Sequence, residues 1–310
     1  MESVILGLHG SAVDLPTPFR SGTLDEKALL HLVEQQVAAG TTALVVCGST
    51  GEAAALTDEE YARVIQATVV ATRQSAPVIA ACEAPTTARA VRLAELAARS
   101  GADALLCAVP PDVTPTQGGI VAHVFAVARA FGAPVVVQDA FGREGVGLHD
   151  ATIARLHERG LVAAVKDATA DLSRPGRLRA ICGTDLVQVS GDDATALAYR
   201  AAGGHGCISV AANVTPKLCA RLHRAWDAGH AALAVQMRDQ LRALHAALLL
   251  EANPIPLKAA LTMLGLCSGE LRPPLTRAMP ATCDRLADLL PAAIAAEDEC
   301  MPQPRPAVVH

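Results

Sequence analysis

Eight times along its first two-thirds, the chain passes from a short apolar run into a longer amphipathic one, and that rhythm restricts the fold more than any other feature. The runs are Ser11–Leu15, Ala43–Cys47, Val78–Ala81, Ala104–Ala108, Val135–Gln138, Val162–Lys166, Leu186–Ser190 and Gly206–Ser209. None alternates cleanly between apolar and polar, so each suits a strand buried on both faces of a parallel sheet. Helix signals fill the intervals. Thr23-Leu-Asp-Glu26 and Thr57-Asp-Glu-Glu60 read as capping boxes, and Gly40, Gly101, Gly132, Gly160 and Gly203 fall where helices should stop. Repeated strand–helix units of this length predict a closed α/β structure, the (β/α)8 TIM barrel. An open doubly wound sheet is the competitor, but no G-x-G-x-x-G follows the first run.

Strand signals cease after about residue 229. The reading is a barrel over 1–229 and a C-terminal helical extension over 230–310. The extension has helical patterns at His230–Ala252, Pro254–Leu264 and Ala281–Ala295. The segment from Glu297 to His310 is polar and proline-rich and is expected to fray.

Composition excludes several functions. A net charge of −5 leaves no basic stripe for nucleic acid, and 2% aromatic content gives no base-stacking platform. No apolar stretch is long enough to span a membrane, and Met1-Glu2-Ser3-Val4-Ile5-Leu6 lacks the basic start of a signal peptide. Nine cysteines without a C-x-x-C pair read as reduced thiols in a cytoplasmic protein. No cysteine or histidine grouping has metal-ligand spacing, so no metal is expected.

The chemistry centres on Lys166, one of only four lysines (27, 166, 217 and 258), which ends the apolar run Leu161-Val162-Ala163-Ala164-Val165. A barrel of this kind gathers reactive groups at the C-terminal ends of its strands. A lysine there loses hydration, which favours the neutral nucleophilic amine needed for imine formation with a carbonyl. The alternative is a lysine that reaches out to solvent or a salt bridge. Gly48-Ser49-Thr50-Gly51-Glu52 after the second run offers hydroxyls and amides to a carboxylate, or is a glycine turn capping the next helix. Arg143, between glycines, is either a clamp for a second acidic group or a surface ion pair. Asp192 and Asp193 read as helix caps and His205 as structural.

These residues resemble the dihydrodipicolinate synthase / N-acetylneuraminate lyase family of Schiff-base-forming lyases. The resemblance runs from Pro16-Thr17-Pro18-Phe19 to Leu271-Arg272-Pro273-Pro274-Leu275. It includes Gly-Ser-Thr-Gly-Glu (48–52), Gly-Ala-Asp (101–103), Val-Lys-Asp-Ala-Thr (165–169), Ser-Gly-Asp-Asp-Ala (190–194), Gly-Gly-His-Gly-Cys-Ile-Ser (203–209) and Asn-Pro-Ile-Pro-Leu-Lys-Ala-Ala-Leu (253–261). The last three look most like the synthase branch. The resemblance implies a cofactor-free enzyme whose Lys166 forms an imine with pyruvate or another 2-oxo acid. Ser49 and Thr50 would bind the carboxylate, and Thr50 would also relay a proton. Ile208 would supply a backbone carbonyl and Arg143 would grip the second substrate. The assembly implied is a homotetramer or homodimer.

Two positions depart from the pattern. Gln138 stands where the synthases carry the tyrosine that acts as acid/base, and Asp112 stands where a second tyrosine completes their relay. Tyr61 and Tyr199, the only tyrosines, fall in predicted helices away from the site. An amide cannot exchange a proton as a phenol can, which leaves Thr50, water and Asp112 or Asp139 for that work. The Gln138-Asp139 pair resembles some sugar-acid dehydratases of the same superfamily. The alternatives to a synthase-like lyase are therefore a 2-keto-3-deoxy sugar-acid dehydratase or aldolase, and a weak paralogue that binds a 2-oxo acid or serves as a scaffold.

Overall fold

The computed structural model describes residues 2–110, 114–140 and 147–300. Eight parallel strands close into a barrel: β1 (Gly10–Asp14), β2 (Ala43–Val46), β3 (Val78–Ala81), β4 (Ala104–Ala108), β5 (Val135–Asp139), β6 (Val162–Asp167), β7 (Val187–Ser190) and β8 (Gly206–Ser209). Each strand pairs with its sequence neighbours, and β8 returns to β1 with Ala12 opposite Ile208. Every strand lies within one residue of its expected bounds. Helices α2 (Glu26–Ala39), α3 (Asp58–Thr72), α4 (Thr87–Arg99), α5 (Gln117–Phe131), α6 (Asp150–Glu158), α7 (Arg174–Cys182), α8 (Ala196–Ala201) and α9 (Pro216–Asp227) follow the strands in turn.

Two packed layers result from the period-2 alternation of buried strands. Ala12, Ala43, Val45, Ile79, Ala81, Ala104, Leu106, Val136, Ala164, Val189 and Ile208 fill the barrel interior. Their neighbours, Val13, Leu44, Val46, Val137 and Val165 among them, pack outward under the helices. One irregularity sets the phase of β6. The register shifts between Val135 and Val136, pairing them with Val162 and Ala164 and leaving Ala163 as an extra residue. Val162 therefore joins the outer layer while Ala164 lies in the inner one, and Lys166, two residues on, shares its face.

An N-terminal helix α1 (Glu2–Gly7), not anticipated from the sequence, carries Val4 into the interior cluster beside Leu8 and stoppers the N-terminal end of the barrel. Gly206 is required there, because a Cβ would lie 2.3 Å from the Leu8 carbonyl oxygen. A two-stranded hairpin, Phe19–Arg20 with Thr23–Leu24, is also new, and it corrects one capping assignment. Thr23 belongs to the hairpin, and Asp25 caps α2 by accepting from the Ala28 amide. The Thr57–Glu60 box forms as expected.

Among the described residues three helices follow the barrel: α10 (Ala231–Ala247), α11 (Ile255–Met263) and α12 (Pro280–Asp298). Their Leu241, Leu244, Leu257, Leu261, Leu286 and Leu290 belong to the same buried cluster as the outer barrel layer. Among the described residues no helix is long and apolar enough to cross a membrane, and no group of three His, Cys, Asp or Glu side chains is arranged to hold a metal ion.

Below the barrel sits a small histidine cluster. His205 packs against His9 with ring centroids 4.7 Å apart and the rings tilted by 59°, and Arg200 lies 3.2 Å from Nδ1 of the buried His223. Because Arg200 can only donate, that nitrogen must accept, and His223 is the neutral Nε2–H tautomer. Burial first, and the Arg200 charge second, pull the His223 pKa from 6.5 to about 3. His9 and His205 are lowered too, mainly by burial. A base whose folded pKa is depressed binds its proton sooner in the unfolded chain. Stability therefore declines as pH falls from 6.5 toward about 3. Urea unfolding at pH 7.5 and pH 5 should show this loss, and His223→Gln should shrink it. An unchanged difference between the two pH values would show that other groups dominate the acid limb.

Candidate active site

Lys166 sits at the C-terminal end of β6, level with Gln138 on β5 and Val189 on β7. Its amine is not surrounded by apolar groups alone, as the sequence suggested. Nζ donates to Asp14 Oδ2 at 3.2 Å, and the two side chains are only 8% and 4% exposed. Asp14 was missed. The signal was present, because it is the one acid in the run Ser11–Leu15 and lies two residues after inward-facing Ala12. What the sequence could not give was its partner, 152 positions away on a strand that β1 does not adjoin.

The turn after β2 borders this pair. The chain leaves the strand with Cys47 at a φ of +58°, and Gly48 then passes beside Asp14. Thr50 is fully buried, and its Oγ1 accepts from Asn253 Nδ2 at 2.8 Å. Ser49 is exposed at the rim. Glu52, in the same motif, is occupied elsewhere, bonded to Lys258 and to the Arg272 amide. Asn253 was not singled out either, although it opens the quoted Asn-Pro-Ile-Pro motif. Gln138 is buried opposite Lys166, and Ile208 is buried in the inner layer on β8. Asp14 Oδ1, Gln138 Oε1 and Asn253 Oδ1 are buried acceptors without a donor among the described residues. Buried acceptors of this kind call for a partner, and here they ring the barrel mouth.

Asp139 is not available as a proton carrier. It faces away from Lys166 with Asp167, and its Oδ2 accepts from Arg174 Nη1 at 2.6 Å and from the Leu148 amide at 3.1 Å. Arg174 also contacts Asp150 and Asp167, so one buried guanidinium gathers three carboxylates behind the site. The tyrosines do not reach Lys166. Tyr61 donates to the Ala81 carbonyl and Tyr199 to Asp167, and burial raises both phenols.

The aspartates after β7 correct another expectation. Neither caps α8, whose N-cap Thr195 makes no side-chain capping bond. Asp192 closes its own turn through Ala194 and Thr195, whereas Asp193 accepts from Ser209 and from the Val210 and Ala211 amides, tying β7 to the end of β8. His205 is structural as expected, accepting from the Gln188 amide at the opposite end of the barrel. Arg143 and Asp112 lie outside the described residues.

Comparison with known proteins agrees with this geometry. Residues 7–293 match the model of the dihydrodipicolinate synthetase family. A 4-hydroxy-tetrahydrodipicolinate synthase of Rhodospirillum centenum is 46% identical over 276 residues, covering 89% of this chain and 95% of the relative. One from Ruegeria pomeroyi is 45% identical over 267 residues, covering 86% of this chain and 92% of the relative. The crystal structure of the chloride-inhibited dihydrodipicolinate synthase of Acinetobacter baumannii, complexed with pyruvate, aligns with a TM-score of 0.89 at 35% identity, covering 92% of this chain and 99% of that one. With the closed barrel and the lysine at its mouth, these matches establish the chain as a lyase that belongs to the dihydrodipicolinate synthetase family.

Proposed function

We propose that the enzyme binds pyruvate, or another 2-oxo acid, as an imine on Lys166. The observation that carries this reading is the placement of a buried amine on the inner face of the barrel mouth, beside a hydroxyl-bearing turn. A nucleophilic lysine needs removal from bulk water and a neighbour able to take its proton, and this position supplies both. Ser49 and Thr50 receive the carboxylate of the substrate, with Thr50 fixed by Asn253. Ile208 and Gln138 complete the walls, and the Gln138 amide holds the substrate without exchanging protons. The pyruvate in the Acinetobacter baumannii relative supports the choice of a 2-oxo acid.

Incubation with pyruvate and borohydride tests the reading. A reduced adduct should appear on a peptide containing Lys166 and be absent from Lys166→Ala. If no member of a panel of 2-oxo acids labels the wild-type protein, the imine reading is wrong. Adduct that survives Lys166→Ala would mean that a different amine reacts.

A further inference from the structure

We propose that Asp14 is a catalytic residue of this enzyme: it takes the proton from the Lys166 ammonium and returns it to the departing oxygen of the substrate carbonyl during imine formation. The inference deepens the imine reading and rests on it.

The pair is poorly explained as a structural feature. Its carboxylate is buried, bonded to Lys166 through Oδ2, while Oδ1 has no donor among the described residues. A buried ion pair that leaves a lone pair unsatisfied seldom repays its desolvation, and alanine already fills the inner layer at Ala12 on the same strand. The positions flanking the pair are glycines. A Cβ on Gly48 would lie 3.2 Å from Asp14 Oδ1, and one on Gly191 would lie 3.3 Å from Lys166 Cε. Any side chain at either place would press on the pair.

Other groups able to move a proton are engaged or unsuited. Asp139 and Asp167 belong to Arg174, and Tyr61 and Tyr199 donate elsewhere. The Cys47 thiol donates to the Tyr61 carbonyl, and burial first and the Asp14 charge second raise its pKa far above neutrality. Cys207, which senses Lys166, is raised by burial in the same way. Among the described residues, Asp14 is the titratable group bonded to the amine.

The proton balance closes without a co-reactant. The Asp14 carboxylate accepts one proton from the ammonium, and the freed nitrogen lone pair attacks C2 of the 2-oxo acid. As the C–N bond forms, the carbonyl π electrons move to oxygen. Asp14 gives its proton to that oxygen and takes one from the nitrogen, leaving a neutral carbinolamine. It then protonates the hydroxyl, water departs, and the nitrogen lone pair closes the C=N bond. Ammonium and ketone have become iminium and water, and Asp14 is again a carboxylate.

The test is the rate, not the extent, of adduct formation. Wild type, Asp14→Asn and Asp14→Ala are mixed with pyruvate, quenched with borohydride at increasing times between pH 5.5 and 9, and read by intact mass. The expected result is a rate about 10²-fold lower or more in both variants, approaching the wild-type extent at long times, with altered pH dependence and partial rescue of Asp14→Ala by formate. Wild-type rates and pH profile in Asp14→Asn would overturn the proposal while leaving the imine intact. A cooperative melt combined with no adduct at any time would reassign Asp14 to positioning. Loss of the native melt in both variants would make its role structural. Absence of adduct in the wild type would instead remove the imine reading itself.

Discussion

Replacing both members of the buried pair, in Asp14→Ala/Lys166→Met, is expected to give a protein that is inactive yet at least as stable as the parent. Lys166→Met alone should be inactive too, but less stable by about 3–5 kcal/mol, because Asp14 then remains as a buried carboxylate without its ammonium. Adding Asp14→Ala removes the stranded charge, and apolar replacements of buried pairs are often neutral or stabilising by about 1–4 kcal/mol. Activity should fall by at least about 10⁴-fold in both proteins, since the amine proposed to form the imine is gone. Urea unfolding of parent, both single variants and the double variant closes the thermodynamic cycle. If the double variant is as unstable as Lys166→Met, the pair contributes packing that methionine and alanine cannot replace. That result would contradict a pair retained for chemistry at a cost in stability.

The second large effect is expected at Lys258, whose burial is complete. Its ammonium bonds Glu52 and donates to the Glu270 carbonyl at 2.9 Å, and it lies 4.4 Å from the centroid of the Phe19 ring. The same ring has Arg272 at 4.1 Å from its centroid, and Arg272 in turn holds Glu60. Burial lowers the Lys258 pKa, while the Glu52 hydrogen bond raises it. Lys258→Met strands Glu52 with only the Arg272 amide, and should destabilise the protein by about 3–5 kcal/mol. A functional effect should accompany it. Lys258 follows Asn253 by five residues, so loosening α11 releases the amide that fixes Thr50 and raises KM for the 2-oxo acid more than it lowers kcat. Stability within about 1 kcal/mol of the parent would show that Glu52 finds another partner. An unchanged KM would separate the network from the mouth.

Strands and helices were legible because each is a local pattern. Val78–Ala81, Ala104–Ala108 and Gly206–Ser209 match to the residue, since apolar runs bounded by polar or glycine residues depend on nothing distant. Lys166 was legible for the same reason, as a lone amine closing such a run. Contacts between elements remote in sequence were not. Asp14 looks like the polar end of a strand until barrel closure brings it to Lys166, and Arg174 looks like a surface arginine until it draws in Asp139, Asp150 and Asp167. The aspartates after β7 failed as caps because tertiary donors on β8 and its following turn outcompeted the local helix amides.

The Asn253–Thr50 hydrogen bond also bears on how the gene can be cut. A fragment ending near residue 229 retains all eight strands, Lys166 and Asp14, and so resembles a complete catalytic barrel. It lacks the amide that bonds Thr50, and it lacks the lysine that neutralises Glu52. The helical extension thus holds the turn after β2, and the seam that looks natural for truncation, fusion or transplantation between relatives runs through that contact. Chimeras should exchange the 48–52 turn and the segment 253–272 together, as one inherited unit.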